Sequence, residues 1–143
     1  LKLAGLAADL GFDVLWSAEH HFFDYSFCPD NLQLMTWLAA KHPGIDLGTA
    51  AVILPWHDPL RVAEQAAMLD LLCGGRLRFG MGRGLARREF TAFRGTMDES
   101  RARFDEAAPM IVDALRTGWI EGRGPLYPQP RVEIRPRPPH SFD

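Results

Sequence analysis

The sequence contains few cysteines, no strong excess of charge of either sign, and no long hydrophobic run. Its two cysteines, Cys28 and Cys73, cannot make a disulfide framework and lack the spacing of a metal-binding motif, so a reducing, cytoplasmic setting is expected. With 16 basic and 18 acidic residues the net charge is −2, which predicts neither nucleic acid nor a membrane as a partner. No apolar run approaches the ~20 residues of a transmembrane helix.

Two common ligand-binding fingerprints are also missing. The glycines at 80–84 follow an apolar segment, but their spacing matches neither a dinucleotide-binding Gly-x-Gly-x-x-Gly motif nor a Walker A loop. His20 and His21 have no third ligand at a usual spacing, so no metal site is predicted. What the chain does have is 143 residues of which 47% are hydrophobic, enough for one domain, residues 1–143, with a buried core.

Short apolar segments alternate with helical patterns at intervals of about thirty residues. The pattern predicts strands over residues 14–17, 45–54 and 76–80, and one strand of a hairpin over 131–135. This spacing is typical of right-handed βαβ units, so we expect a parallel α/β sheet. An open doubly wound sheet and part of a (β/α)8 barrel both satisfy the pattern.

Helix boundary signals support the same order of elements. Gly11 ends the first predicted helix, and Asp30 lies at the start of the second. Asp58, followed by a proline, predicts the start of the third, and Asp98 is predicted to cap a long fourth helix. Pro109 lies inside that fourth helix, where we expect a bend.

Ionisable or glycine-rich residues accompany the end of each predicted strand. Glu19, His20 and His21 follow the first, the small residues 48–51 lie toward the end of the second, and residues 82–84, Gly-Arg-Gly, follow the third. Because the carboxyl ends of parallel strands meet at one edge of a sheet, these groups are expected to form a single ligand site.

Each of these signals also has a purely structural interpretation. His20 and His21 point to opposite faces of an extended segment, so only one can enter a given pocket while the other packs or lies at the surface. Glu19 either fixes a histidine tautomer or is an ordinary loop charge. Arg83, between two glycines, suits a phosphate or simply pairs with an acidic neighbour such as Glu89.

Taken together and in order, these residues resemble the bacterial luciferase-like flavin-dependent monooxygenases, the LLM class of oxidoreductases. The resemblance runs over nearly the whole chain. The matching positions are Gly-Phe-Asp at 11–13, Glu-His-His-Phe at 19–22, Gly-Thr-Ala at 48–50, Leu-Pro at 54–55, residues 59–64, Leu-Asp at 69–70, Gly-Gly-Arg at 74–76, Gly-Arg-Gly at 82–84 and residues 97–101.

The resemblance implies a partial (β/α)8 TIM barrel, about its first half, with the first strand and strands five to eight lying outside the chain. It implies a flavin-dependent monooxygenase that uses reduced FMN and O2 to oxidise a small organic substrate through a peroxyflavin. A flavin reductase as supplier of reduced FMN and a dimer at full length are implied as well.

The resemblance also assigns roles to individual positions. His20 corresponds to the catalytic histidine, Arg83 to the phosphate-binding arginine, and the Ala50–Ala51 pair to a non-prolyl cis peptide under the flavin ring. The remaining assigned positions are Gly82 and Gly84 at the cofactor and Glu19 and Phe22 at the substrate. Pro109 and the Trp56-His57 pair depart from the family pattern.

Two alternatives remain open. Within the same fold, the deazaflavin F420 would transfer hydride without activating O2, although the paired histidines favour the FMN branch. The chain could also be a truncated half barrel with exposed strand edges and no catalytic turnover.

Overall fold

A computed structural model of the chain describes residues 1–24, 28–138 and 142. Its elements alternate between helix and strand through the first two thirds of the chain. The helices are α1 (Lys2–Asp9), α2 (Asn31–Lys41), α3 (Pro59–Cys73), α4 (Arg87–Ala92) and α5 (Ser100–Thr117). The strands are β1 (Val14–Ser17), β2 (Asp46–Thr49), β3 (Val52–Ile53), β4 (Leu77–Arg78), β5 (Met81–Gly82), β6 (Trp119–Gly122) and β7 (Gln129–Glu133).

The central sheet has the strand order β1-β2-β4, and both strand pairs are parallel. Val14 lies opposite Asp46, and Leu47 lies opposite Leu77. The predicted parallel α/β arrangement is therefore confirmed. Near the carboxyl ends, β3 and β5 form a second parallel pair that continues in the direction of β2 and β4.

The prediction of one continuous strand over residues 45–54 is wrong. The Ala50–Ala51 peptide bond is cis and separates β2 from β3, which pairs with β5 instead of the central sheet. Of the strand predicted over 76–80, only Leu77–Arg78 forms a strand, β4, and β5 begins beyond it at Met81. Continuous hydrophobicity reports burial, and it does not reveal where backbone pairing changes partner.

Most of the predicted helix boundaries are confirmed. The Asp30 and Asp58 side chains accept hydrogen bonds from the backbone N–H groups of Gln33 and Arg61, at 2.8 and 3.1 Å. Asp98, however, does not cap the long helix. It lies within a 3-10 turn, Met97–Glu99, where its own backbone N–H donates a hydrogen bond to the Thr96 hydroxyl, and α5 begins after that turn.

Helix α3 packs against both α2 and α5, and α2 and α3 contact strands β2 and β4 of the central sheet. Their inward faces supply a core of leucine, valine, alanine, isoleucine and methionine side chains around Leu47. Pro109 lies inside α5, which runs unbroken past it. The predicted hairpin is formed by β6 and β7, paired antiparallel. Within the described residues, no helix has the length and apolar character that a membrane span requires.

Candidate functional site

A cavity of about 530 Å³ opens where the carboxyl ends of β1, β3 and β5 converge. Seven of the eight residues predicted for the site lie on its wall, and the eighth, Phe22, does not. The lining residues are Ala18, Glu19, His20, Ala50, Ala51, Ile53, Trp56, Gly82, Arg83, Gly84, Leu85 and Glu89. The structure thus brings together residues that are separated by more than sixty positions in the sequence.

One wall of the cavity consists of the Ala50–Ala51 pair. Its peptide bond is cis, as the resemblance implied. Its two side chains are only methyl groups, so they project little from the backbone into the cavity. Asn31, which is buried at the start of α2, donates a hydrogen bond from Nδ2 to the Ala51 carbonyl at 3.1 Å. The wall is therefore held by a side chain from a different element, and the sequence analysis did not identify Asn31.

The Gly82-Arg83-Gly84 segment supplies the positive charge of the cavity. Arg83 is exposed, and within the described part of the chain its guanidinium forms no ion pair or hydrogen bond. Gly84 has a φ of 76°, and a Cβ atom there would lie 2.9 Å from Ile53 Cγ2. The backbone can take this course beside Ile53 only because no side chain is present. An unpaired arginine on a close-packed glycine turn is suited to bind an anion.

His20 lies on the cavity side of its segment and faces the carboxylate of Glu89. Its Nδ1 is 3.3 Å from Glu89 Oε1, and the same oxygen accepts a 2.7 Å hydrogen bond from the His21 backbone N–H. Glu89 is 1% exposed and comes from α4, a short helix that the sequence pattern did not predict. Sequence reasoning considered Glu89 only as a partner for Arg83, whereas it contacts the histidine segment.

His21 points away from the cavity, as the alternation along an extended segment predicted. Its ring packs edge-on against Trp56 and Phe93, with ring centres 5.3 and 4.7 Å away, and also contacts Phe22. Phe22 is about half exposed and belongs to this aromatic cluster and not to the cavity wall. The role of Phe22 as a substrate contact stays a prediction.

Glu19 is the second buried carboxylate at the cavity, with 3% of its surface exposed. Its Oε1 lies 2.7 Å from His57 Nε2 and 3.1 Å from His21 Nε2. Its Oε2 accepts a 2.8 Å hydrogen bond from the backbone N–H of Ile53. Both oxygens are engaged by protein groups, so the predicted role of Glu19 as a substrate contact also stays a prediction.

The environment of His57 changes its proton affinity. Burial alone lowers the pKa of this imidazole, but its hydrogen bond to Glu19 and the negative charges of Glu19 and Asp30 outweigh burial and raise the pKa above its ordinary value of 6.5. No cluster of three or more metal-ligating side chains occurs within residues 1–24, 28–138 and 142. Among the described residues, the cavity lining combines Arg83, which has no ion-pair partner there, with the buried carboxylates of Glu19 and Glu89 and their histidine partners.

A parallel α/β scaffold with a cavity at the carboxyl ends of its strands is the arrangement of ligand-binding α/β domains, barrels among them. The profile of the family described as luciferase-like monooxygenase matches residues 1–142. The chain therefore belongs to the luciferase-like monooxygenase family.

Curated relatives and a solved structure agree with that assignment. The alkanal monooxygenase alpha chain of Aliivibrio fischeri is 32% identical over 128 residues, covering 90% of this chain and 36% of the relative. The oxygenase component of the flavin-dependent trigonelline monooxygenase of Acinetobacter baylyi is 31% identical, covering 96% and 39%. The structure of the monooxygenase RslO1 from Streptomyces bottropensis is 35% identical with a TM-score of 0.86, covering 99% and 43%.

Two more distant structures share the fold. One is the oxygenating constituent of 3,6-diketocamphane monooxygenase from Pseudomonas putida in complex with FMN, with a TM-score of 0.80 at 18% identity, covering 93% of this chain and 36% of that one. The other is the coenzyme F420 dependent tetrahydromethanopterin reductase from Methanopyrus kandleri, with a TM-score of 0.71 at 23% identity. That match covers 95% of this chain and 42% of the reductase. The chain thus spans 36% to 43% of the length of these five proteins.

Proposed function

We propose that this chain supplies the flavin-facing part of a monooxygenase that uses reduced FMN and O2 to oxidise a small organic substrate. The observation that carries the proposal is the cavity itself, which places an unpaired arginine, a glycine turn and a flat dialanine wall beside a histidine. The flavin dependence named for the Acinetobacter relative supports the same choice of cofactor.

The residues present fit the two chemically different ends of FMN. Arg83 would bind the phosphate through charge-assisted hydrogen bonds, and the glycines on either side would let the cofactor approach the backbone closely. Ala50 and Ala51 would lie against the planar ring system, because their small methyl side chains let a flat ring approach the backbone.

His20 is the residue that we assign to the reaction. When bound, the reduced flavin supplies two electrons to O2, so that one oxygen atom enters the substrate and the other leaves as water. Glu89 orients the imidazole through Nδ1, and we assign proton exchange with the reacting groups to Nε2. Buried and in contact with one ring nitrogen, Glu89 would also favour the tautomer that carries its proton on Nδ1.

The wider reaction is part of the same proposal. A flavin reductase would supply the reduced cofactor, and the protein at its natural length would be a dimer. Glu19 and Phe22 are proposed to contact the substrate, Glu19 at the cavity wall and Phe22 from the neighbouring aromatic cluster.

A flavin titration of the protein at its natural length tests the proposal. Replacing Arg83 with alanine should weaken binding of reduced FMN by about 1.5–3 kcal/mol, the value of hydrogen bonds to a charged group. Riboflavin, which lacks the phosphate, should bind the wild type and this variant equally. Arg87→Ala removes a nearby exposed arginine that does not line the cavity and is the matched control.

The same titration separates the alternatives. Unchanged FMN affinity in Arg83→Ala would remove this residue from the site. Tight binding of F420 with no binding of FMN would favour hydride transfer without O2 activation. A protein that binds neither cofactor would correspond to the inactive half barrel.

A further inference from the structure

The contacts around Glu19 form a continuous path from the protein surface to the flavin-facing wall. His57 is one-third exposed, whereas the Glu19 side chain that it contacts is 1% exposed. Glu19 then contacts the backbone of Ile53, which lines the cavity. The path therefore links an accessible imidazole to the wall by two hydrogen bonds of 2.7 and 2.8 Å.

Ile53 in turn touches the glycine turn that carries Arg83. A Cβ atom added to Gly82 would lie 3.2 Å from Ile53 Cδ1, and one added to Gly84 would lie 2.9 Å from Ile53 Cγ2, so the Ile53 side chain packs directly on this turn. A shift of Ile53 would therefore displace the segment proposed to bind the phosphate, because close-packed groups transmit small displacements.

We propose that His57 is a positioning residue for the flavin site, acting as a proton-dependent clamp: its protonated imidazole holds the Glu19 carboxylate, which fixes Ile53 and, through it, the Arg83 turn. The proposal rests on the proposed function for its flavin readout but not for the clamp itself.

Charge explains why the proton matters. A buried carboxylate is costly unless it is hydrogen-bonded and compensated. His57 Nε2, at 2.7 Å, is the hydrogen-bonding atom closest to Glu19, so a proton on this ring would compensate the buried charge. The groups that act on His57 are Glu19, from the segment after β1, and Asp30, from the start of α2. His21 shares the Glu19 oxygen with His57 but is enclosed by the aromatic cluster.

The sign of the pH dependence follows from the raised pKa of His57. The folded protein binds this proton more tightly than the unfolded chain does, so the stabilisation is complete below the ordinary value of 6.5 and is lost as the pH rises through the raised pKa. The clamp is therefore tightest under mildly acidic conditions and loosens under alkaline ones.

Nuclear magnetic resonance of the flavin-free protein at its natural length tests the clamp directly. A titration from about pH 5.5 to about pH 9 should show the His57 ring and the Ile53 amide changing with the same midpoint. Glu19→Gln, which removes the negative charge, should move the His57 midpoint to lower pH. If the chemical shift of the Ile53 amide does not change as His57 titrates, the proposal is overturned. This holds whether or not the protein binds flavin.

Flavin affinity provides the second measurement. In His57→Gln the neutral amide keeps a hydrogen-bond donor, so FMN should bind about fivefold more weakly than to wild type near pH 6, with the difference vanishing at alkaline pH. His57→Ala also loses the hydrogen bond, so it should bind FMN about tenfold more weakly than wild type near pH 6 and about twofold more weakly at alkaline pH. His42→Gln, which replaces a histidine at the end of α2 outside the cavity lining, is the control and should match wild type.

The outcomes of the two measurements distinguish the two proposals. A constant ratio between His57→Gln and wild type at all pH values would overturn the clamp. Failure of wild type to bind FMN at any pH, with Ile53 still following His57, would overturn the proposed function and leave the clamp standing. If His57→Ala does not fold, the wild-type titration and His57→Gln decide the matter.

Discussion

His20 and His21 are chemically identical neighbours with different surroundings. The alternation of an extended segment turns His20 toward the cavity and Glu89, and turns His21 toward Glu19 and the rings of Trp56 and Phe93. At the residue scale, the buried carboxylates and not the histidines themselves define the two environments.

Substitution of each histidine separates these environments. In the protein at its natural length, His20→Ala should reduce turnover by about 10²- to 10⁴-fold, the usual contribution of a positioned acid–base group, while FMN affinity changes little. His21→Ala should act chiefly on stability, because it removes aromatic packing and one donor to buried Glu19. Stopped-flow decay of the flavin intermediates, product yield and melting temperature would be measured for both variants.

Equal losses of activity from the two substitutions, each matching its fall in melting temperature, would contradict this assignment. The pair would then be structural. His20→Gln is a useful third variant, since its amide retains a hydrogen-bonding group toward Glu89 and isolates the loss of proton exchange from the loss of packing.

At the scale of elements, the sequence predicts what depends on local periodicity and capping. β1 and the Asp30 and Asp58 caps follow from residues adjacent in the chain, and the parallel order follows from the spacing between the predicted strands. The separation of β2 from β3 and the contact between Glu89 and the histidine segment depend on residues far apart, so periodicity carries no signal for them. The convergence of the strand ends was predictable because a parallel sheet requires it, whereas the partners of each site residue were not.

The glycine turn after β5 allows a test at this scale. Gly84→Ala should lower the free energy of unfolding by about 1–3 kcal/mol, because alanine is strained at positive φ and its Cβ would crowd Ile53 and Phe90. Gly44→Ala is the matched control, since it has open space around the added Cβ. Urea denaturation of both variants would measure the difference, and equal midpoints would show that the turn tolerates a side chain.

Across the whole molecule, apolar surface is distributed unevenly. Helices α2, α3 and α5 enclose the core, while α1 turns its leucines outward, with Leu3 80% exposed. Trp16 on β1 is 58% exposed, and β1 and β4 are the two edges of the central sheet within the described residues. Exposed apolar side chains beside open strand edges are the features that promote association. In proteins about two and a half times as long, further chain is available to cover such surfaces.

This surface predicts the behaviour of residues 1–143 expressed alone. Sedimentation should show concentration-dependent self-association, because burial of the α1 leucines and pairing of the free strand edges are both favourable. The double substitution Leu3→Gln and Leu6→Gln should shift the distribution toward monomer, whereas Leu71→Gln, at an exposed position on α3, should have a smaller effect. A sample that stays monomeric at high concentration, with unchanged circular dichroism, would show that the half barrel is self-sufficient. The same substitutions in the protein at its natural length should instead lower the melting temperature, if the additional chain covers α1.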